Sequence, residues 1–152
     1  MPWELRAVSL ENGGSLGTVE DVQAKLRAAV PEIELFRDSG GADKLAAMES
    51  LGVEVPAFFR ELWAGSPGAY RGEIVGEEFT IDLYLGTEDA SVSEVGIEVR
   101  GRGDPCPVLR QLMGIEGWTV TDGDGVPPTA EAWNAFGAWR DDAVSRDRHA
   151  AE

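Results

Sequence analysis

Two stretches near the middle of the chain alternate strictly between apolar and polar residues, and this alternation limits the folds that the chain can adopt. In the first stretch, the apolar positions are Phe79, Ile81, Leu83 and Leu85. In the second stretch, they are Val95, Ile97 and Val99. Because successive side chains of a strand point to opposite faces of a sheet, both stretches are predicted as half-buried strands. The first is predicted to form a hairpin with residues 70–75 across a turn at Gly76–Glu77.

Helical patterns flank these strands on both sides. Apolar residues recur at helical spacing from about residue 19 to 30, from 42 to 51, from 57 to 64 and from 105 to 113, and again after Thr129. Thr18, Asp104 and Thr129 are suited to cap the starts of three of these helices. Further short strands are predicted at 3–10, as an edge-type strand, and at 33–36 and 118–121.

The order of these elements favours an α+β fold over a doubly wound parallel sheet, because the middle strands are consecutive and linked by a hairpin. We expect a small, mostly antiparallel sheet with helices packed on one face and a helical insertion at about residues 42–64. The length of 152 residues predicts a single domain over residues 1–152. The charged segment at about 140–152 is predicted to be a frayed C-terminal tail.

The charge of the chain narrows the choice of partners. There are 28 acidic and 13 basic side chains, which give a formal net charge of −15 at pH 7. Such a charge repels nucleic acid and anionic membranes, so we expect neither as a partner, and it attracts a basic protein. The chain has no apolar run of about 20 residues, the length that a membrane-spanning helix needs. Its first residues lack the basic and apolar regions of a secretory signal, so a cytoplasmic protein is expected.

The most specific local pattern lies between the second alternating strand and the next helix, where Arg100, Gly101, Arg102 and Gly103 precede Asp104 and Pro105. A glycine-rich turn that enters a helix can present backbone N–H groups to an anion, and the two arginines favour that role. Asp104 opposes it, because a carboxylate at the helix start takes up the same N–H groups. A structural cap is therefore the preferred interpretation, and an anion or nucleotide site at residues 100–103 is the alternative.

Catalytic and metal-binding side chains are scarce. The single cysteine, Cys106, falls in the first turn of a helix, where the dipole lowers a thiol pKa, but the one histidine, His149, lies in the tail. Cys106 is therefore interpreted as a packing residue. The acidic pairs Glu77–Glu78 and Glu88–Asp89 are not shown by sequence to converge, and the spacing after Asp122 fails as a calcium loop. We predict no catalytic residues, no metal site and no cofactor; a metal site built from histidine and cysteine is excluded by their number, and an all-carboxylate Mg²⁺ or Ca²⁺ site stays an open alternative.

The short helix at 57–64 has too many large apolar side chains for one buried face. Phe58, Phe59, Leu62 and Trp63 all fall within it. Either some of them are exposed as a binding patch, or the helix is wedged between the sheet and the last helix and is buried on both sides. If the patch is exposed, we expect Phe58, Phe59, Trp63 and Tyr70 to bind a protein, with Glu61 as a charge at the rim.

Two sets of residues carry resemblances to known families. The run 79–89 ends in Leu-Gly-Thr-Glu-Asp, residues 99–105 read Val-Arg-Gly-Arg-Gly-Asp-Pro, and Gly117–Trp118 follows. This combination resembles a family of small uncharacterised bacterial proteins, a resemblance that implies no activity. Residues 51–63 are similar to a segment of the immunity-protein superfamily related to yeast cell-wall-assembly regulators, although Val55 replaces the usual Leu and the expected Asn-Gly is absent.

These observations together favour a non-enzymatic protein-binding module of immunity or inhibitor type that acts on a basic partner. The first alternative is a protein or enzyme that binds a small anion or nucleotide through residues 100–104. The second alternative is a self-assembling accessory protein whose apolar patch is a homodimer interface.

Overall fold

The fold is α+β and is built from antiparallel strands and five helices, as seen in a computed structural model that describes residues 2–11, 14–38, 40–64, 68–87 and 91–151, with side chains up to residue 142. The strands are β1 (Trp3–Val8), β2 (Glu34–Arg37), β3 (Tyr70–Gly76), β4 (Phe79–Gly86), β5 (Glu94–Gly101) and β6 (Thr119–Asp122). The helices are α1 (Val19–Ala29), α2 (Gly41–Ser50), α3 (Ala57–Ala64), α4 (Cys106–Met113) and α5 (Ala130–Ala151). The predicted elements are all present, with ends that shift by one or two residues in most cases.

The described strands form one six-stranded sheet in the order β2-β3-β4-β5-β1-β6, and every neighbouring pair is antiparallel. The prediction that β1 is an edge strand is wrong, because β1 lies between β5 and β6. Its alternate residues Trp3, Leu5 and Ala7 are all buried. Neighbours on both sides therefore satisfy the backbone of β1 and shield these side chains. The two edges of the sheet are the four-residue strands β2 and β6.

The starts of α1 and α5 are set by threonine caps, as the sequence predicts. The Thr18 hydroxyl accepts a hydrogen bond from the Asp21 N–H at 3.1 Å, and the Thr18 N–H donates to the Asp21 carboxylate at 3.1 Å. Thr129 accepts from the N–H of Ala132 at 3.0 Å. These bonds satisfy N–H groups that the helices cannot pair internally. Helix α5 continues to Ala151, and the predicted fraying of its last residues stays a prediction.

One face of the sheet carries the main core, the cluster of buried apolar residues that the strands share with α1, α4 and the start of α5. Ile81 and Leu83 of β4 and Ile97 of β5 are almost completely buried there. Leu26 of α1 and Leu109 of α4 pack on the same cluster. Helices α1 and α4 and the start of α5 thus cover one face of the sheet, as predicted from the alternation.

The opposite face, called the uncovered face below, is formed by the alternate strand residues. It includes Glu98 and Gly96 of β5, Asp82 and Tyr84 of β4 and Arg71 of β3. Within the described strands, no residue on this face is buried. The sheet is therefore apolar and covered on one side and polar on the other.

Candidate functional site

Helix α3 is short and starts immediately after Pro56, whose carbonyl accepts the first helical hydrogen bond from Arg60 at 3.1 Å. Proline preorganises the chain for such a start and ends the preceding extended segment. None of the eight residues of α3 is buried. Phe58 is 72% exposed and Leu62 is 59% exposed. The patch is therefore exposed, and the alternative in which this helix is wedged and buried on both sides is wrong.

The aromatic rings of α3 contact one another along the helix. The Phe58 and Phe59 ring centroids are 5.5 Å apart in an edge-to-face arrangement, and those of Phe59 and Trp63 are 5.8 Å apart. Side chains four residues apart, such as Phe59 and Trp63, are neighbours on a helix surface, and aromatic pairs favour tilted or edge-on geometry. The three rings form a continuous surface, which we call the α3 aromatic cluster.

The α3 aromatic cluster is carried by a helical hairpin, residues 41–64, in which α2 and α3 pack mainly on each other. Arg60 of α3 forms an ion pair with Glu49 of α2, with 2.6 Å between nitrogen and oxygen. Leu45 and Val55 are buried, but neither belongs to the main core. The hairpin is thus a separate small unit inserted between the strands β2 and β3.

The other residues predicted to bind a protein are placed differently. Glu61 is exposed on α3, as expected of a charge at the rim. Tyr70 begins strand β3, is partly buried against the main core, and has the guanidinium of Arg37 over its ring at 5.4 Å. The ring contacts join Phe58, Phe59 and Trp63, and the binding role predicted for Tyr70 stays a prediction.

The predicted anion-binding turn has its backbone donors already engaged. The N–H groups of Arg102 and Gly103 both donate to the carbonyl of Glu78, each at 2.9 Å. A Cβ at Gly101 would lie 2.3 Å from that carbonyl oxygen, and one at Gly103 would lie 2.1 Å from the carbonyl oxygen of Glu77. The glycines therefore allow the turn to pack against the β3–β4 hairpin, which is a structural role.

The two arginines of the turn contact different parts of the molecule. Arg100 lies on the uncovered face and donates to the Glu98 carboxylate at 2.8 Å. Arg102 pairs with Asp141 of α5 at 3.2 Å. The carbonyl of Gly101 accepts from Arg140 of α5 at 2.7 Å. These contacts tie the turn to α5 and do not join the two guanidinium groups around one ligand.

Asp104 and Cys106 occupy the start of α4. Pro105 is the N-cap, one residue later than predicted, and the Asp104 carboxylate still accepts from the Cys106 N–H at 3.1 Å. Burial raises the pKa of the Cys106 thiol, and the Asp104 carboxylate raises it further. The expectation of a thiol pKa lowered by the helix dipole is therefore wrong. Cys106 belongs to the main core, so its interpretation as a packing residue is confirmed.

The acidic pairs do not assemble a site in the described part of the chain. Glu77 and Glu78 form the exposed turn between β3 and β4, whereas Glu88 and Asp89 lie outside the described residues. Asp122 accepts hydrogen bonds from the N–H groups of Asp124 and Val126, each at 2.9 Å, which makes this loop a polar turn. Among the residues that were described, no group of three or more acidic, histidine or cysteine side chains could hold a metal ion.

The uncovered face contains a polar network that sequence reasoning missed. Arg71 donates to the carboxylate of Asp38 at 2.8 Å and to the hydroxyl of Tyr84 at 2.9 Å. Its guanidinium also lies 4.4 Å from the centroid of the Tyr84 ring, and the hydrogen bond to Asp38 raises the pKa of Arg71. Alternation marked Tyr84 as a residue on the polar face, but no local signal identifies a partner that is 13 positions away.

No protein-family model, no curated protein and no solved structure matches this chain. Both family resemblances therefore stay predictions. Of the helices in the described ranges, none combines the length and the apolar character needed to cross a membrane.

Proposed function

We propose that this protein is a non-enzymatic protein-binding module, of immunity or inhibitor type, that docks on a basic partner through the α3 aromatic cluster. The observation that carries the proposal is the exposure of the cluster on a helix with no buried residue. Large aromatic side chains supply most of the affinity at protein interfaces when they become desolvated. Phe58 and Leu62 are exposed to water, so a partner that covers them gains favourable free energy from the hydrophobic effect.

The hairpin that carries the cluster supports the same role. Leu45 and Val55 are the only large apolar side chains buried within residues 41–64, whereas a stable folded unit generally needs a larger apolar core. A partner that covers α3 would supply the burial that the hairpin lacks. In the protein without a partner, the exposed ion pair between Arg60 and Glu49 links the two helices.

Charge supports the choice of a basic partner. Residues 41–64 contain four acidic and two basic side chains, so the hairpin alone contributes a net charge of only −2. Most of the charge of −15 therefore lies elsewhere on the molecule. A field of this kind accelerates association with a basic protein and weakens with salt, whereas the aromatic contacts set the lifetime of the complex.

The test is capture of proteins from a lysate of the source cells by immobilised wild-type protein and by Phe58→Ala and Trp63→Ala variants. Trp139→Ala is the matched control, because Trp139 is half-exposed and lies on α5, where its ring contacts that of Phe136. We expect wild type and control to hold the same basic protein, and the α3 variants to bind it at least tenfold more weakly with unchanged melting temperatures.

Equal capture by all four proteins would overturn the proposal, as would an equal loss of folding in the α3 variants. Sedimentation of the purified protein at several concentrations distinguishes self-assembly through the cluster from binding of a basic partner. A dimer that Phe58→Ala dissociates would assign the cluster to a second copy of this chain and not to a basic partner.

A further inference from the structure

The charged side chains of the uncovered face are arranged in a definite order. The register of four strand pairs places one carboxylate from each of five strands side by side. Glu34 of β2 pairs with Glu73 of β3, Glu73 pairs with Asp82 of β4, Asp82 pairs with Glu98 of β5, and Glu98 pairs with Glu4 of β1. We call these five residues the carboxylate row.

The carboxylate row runs across the strands, perpendicular to the chain direction. Because neighbouring strands lie about 4.8 Å apart, the four steps of the row span about 19 Å. Such a line differs from a metal site, in which the oxygens converge to about 2.5 Å from one ion. The row is instead as long as about six residues of an extended chain.

Most of the charge in the row is not neutralised within the molecule. Arg100 contacts Glu98 at 2.8 Å and lies 4.0 Å from Asp82. Within the described part of the chain, Glu4, Glu34 and Glu73 have no ion pair. Like charges directly opposite on a sheet are destabilising, so this arrangement weakens the fold when the face is in water. A cationic partner would remove that cost.

The residues next to the row are held in place by their own contacts. Arg71 lies between the rings of Tyr84 and Phe36, at 4.4 Å and 5.9 Å from their centroids. The Asp38 carboxylate forms an ion pair with this guanidinium, with 2.8 Å between oxygen and nitrogen. Arg71 is therefore already paired and does not neutralise the carboxylates of the row that have no ion pair. The face therefore combines ordered, partly buried side chains at its centre, where Asp82 and Glu98 are 19% and 23% exposed, with uncompensated negative charge on either side of them.

We propose that the uncovered face is a docking surface for a lysine- or arginine-rich segment of a protein, which lies along the carboxylate row. The choice of occupant follows from charge complementarity between basic side chains and the three glutamates that have no internal partner. This inference rests on the proposed function, because it assigns the basic character of the partner to contacts made outside the hairpin.

The test is binding of a decalysine peptide, measured by fluorescence anisotropy at low salt. The row variant is Glu4→Gln/Glu34→Gln/Glu73→Gln, in which no hydrogen bond or ion pair of the described structure is lost. The control is Glu32→Gln/Glu116→Gln/Glu131→Gln, which removes three exposed carboxylates elsewhere on the chain and has the same net charge. We expect the row variant to bind at least fivefold more weakly than wild type, and the control to bind within twofold of it.

Equal weakening by the two triple variants would overturn the inference, because the peptide would then respond only to net charge. Failure of wild type to bind the peptide at low salt would overturn it as well. Phe58→Ala separates this result from the proposed function, since Phe58 lies on α3 and not on the sheet. If this variant retains both the peptide and the cellular partner, the row stands and the α3 proposal fails.

Discussion

The main core and the helical hairpin at residues 41–64 contain the same kinds of apolar side chains but bury them to very different extents. Leu83 in the main core is 0% exposed. In the hairpin, Leu45 on α2 is 7% exposed and Leu62 on α3 is 59% exposed. The main core joins residues from the sheet and from three helices, whereas the hairpin helices pack mainly on each other. The main core thus stabilises the molecule, and the hairpin presents a surface.

The starts of the helices also differ between the body of the protein and the hairpin. Helices α1 and α5 begin with threonine caps, whereas the N-cap of α2 is Gly40, which makes no side-chain hydrogen bond to the helix. A cap of this kind stabilises a helix by about 1 kcal/mol. The body of the protein is therefore reinforced locally as well as by packing, and the hairpin is not.

The largest expected effect is that of Leu83→Ala. Removing this side chain from a completely buried strand position leaves a cavity and lowers the free energy of unfolding by about 3–4 kcal/mol. The same change at Leu45 should lower it by about 1 kcal/mol, because the hairpin can open locally while the sheet stays folded. Urea denaturation followed by circular dichroism measures both. Equal losses would show that hairpin and sheet unfold as one unit, and would break the comparison.

An intermediate effect is expected at the start of α1. Thr18→Ala removes one hydrogen bond of the capping box and should lower the free energy of unfolding by about 1 kcal/mol at neutral pH. The hydrogen bonds from Thr18 hold the pKa of Asp21 below its ordinary value of 3.8. A decrease of this size in the free energy of global unfolding would show that α1 unfolds together with the main core.

The lowered pKa of Asp21 sets a sign for the pH dependence. Because the folded pKa lies below the unfolded one, the stabilising contribution is present above the unfolded pKa and is lost as the pH falls through the folded value. The advantage of wild type over Asp21→Asn in urea denaturation should therefore be full at pH 6 and shrink below pH 3.8. An advantage that persisted undiminished well below that pH would contradict the assignment.

The smallest expected effect is that of Leu62→Ala. The side chain is 59% exposed, and a substitution at such a position changes the free energy of unfolding by less than about 0.5 kcal/mol. Helix propensity is nearly the same for leucine and alanine, so the helix itself is preserved. Differential scanning calorimetry measures the change. A loss above about 1 kcal/mol would mean that α3 is packed against the rest of the molecule and is not a presented surface.

Local signals in the sequence located most of the elements. The alternation in β4 and β5 identified which residues of each strand face the core, because the side-chain period of a strand is two. Thr18 and Thr129 marked helix starts through their capping hydroxyls. The position of β1 was not predicted, since an apolar strand of six residues can lie at an edge or in the interior.

The candidate site was predicted only in part. The composition of α3 left open whether its aromatic side chains are exposed or buried on both sides, and the structure exposes Phe58 and Phe59 and joins their rings with that of Trp63. Tyr70 was grouped with them by chemistry and nearness in the chain, and its contacts include Arg37 and the main core, so its role in binding stays a prediction.

The sequence by itself determined the fold class, the two faces of the central strands, the packing role of Cys106 and the negative charge, because each depends on residues close together or on composition. Only the tertiary structure decided the order of the strands, the exposure of α3 and the alignment of Glu34, Glu73, Asp82, Glu98 and Glu4. That alignment depends on the register of four separate strand pairs. A shift of one residue in any pair would move a carboxylate to the opposite face, and such long-range pairing leaves no local signal.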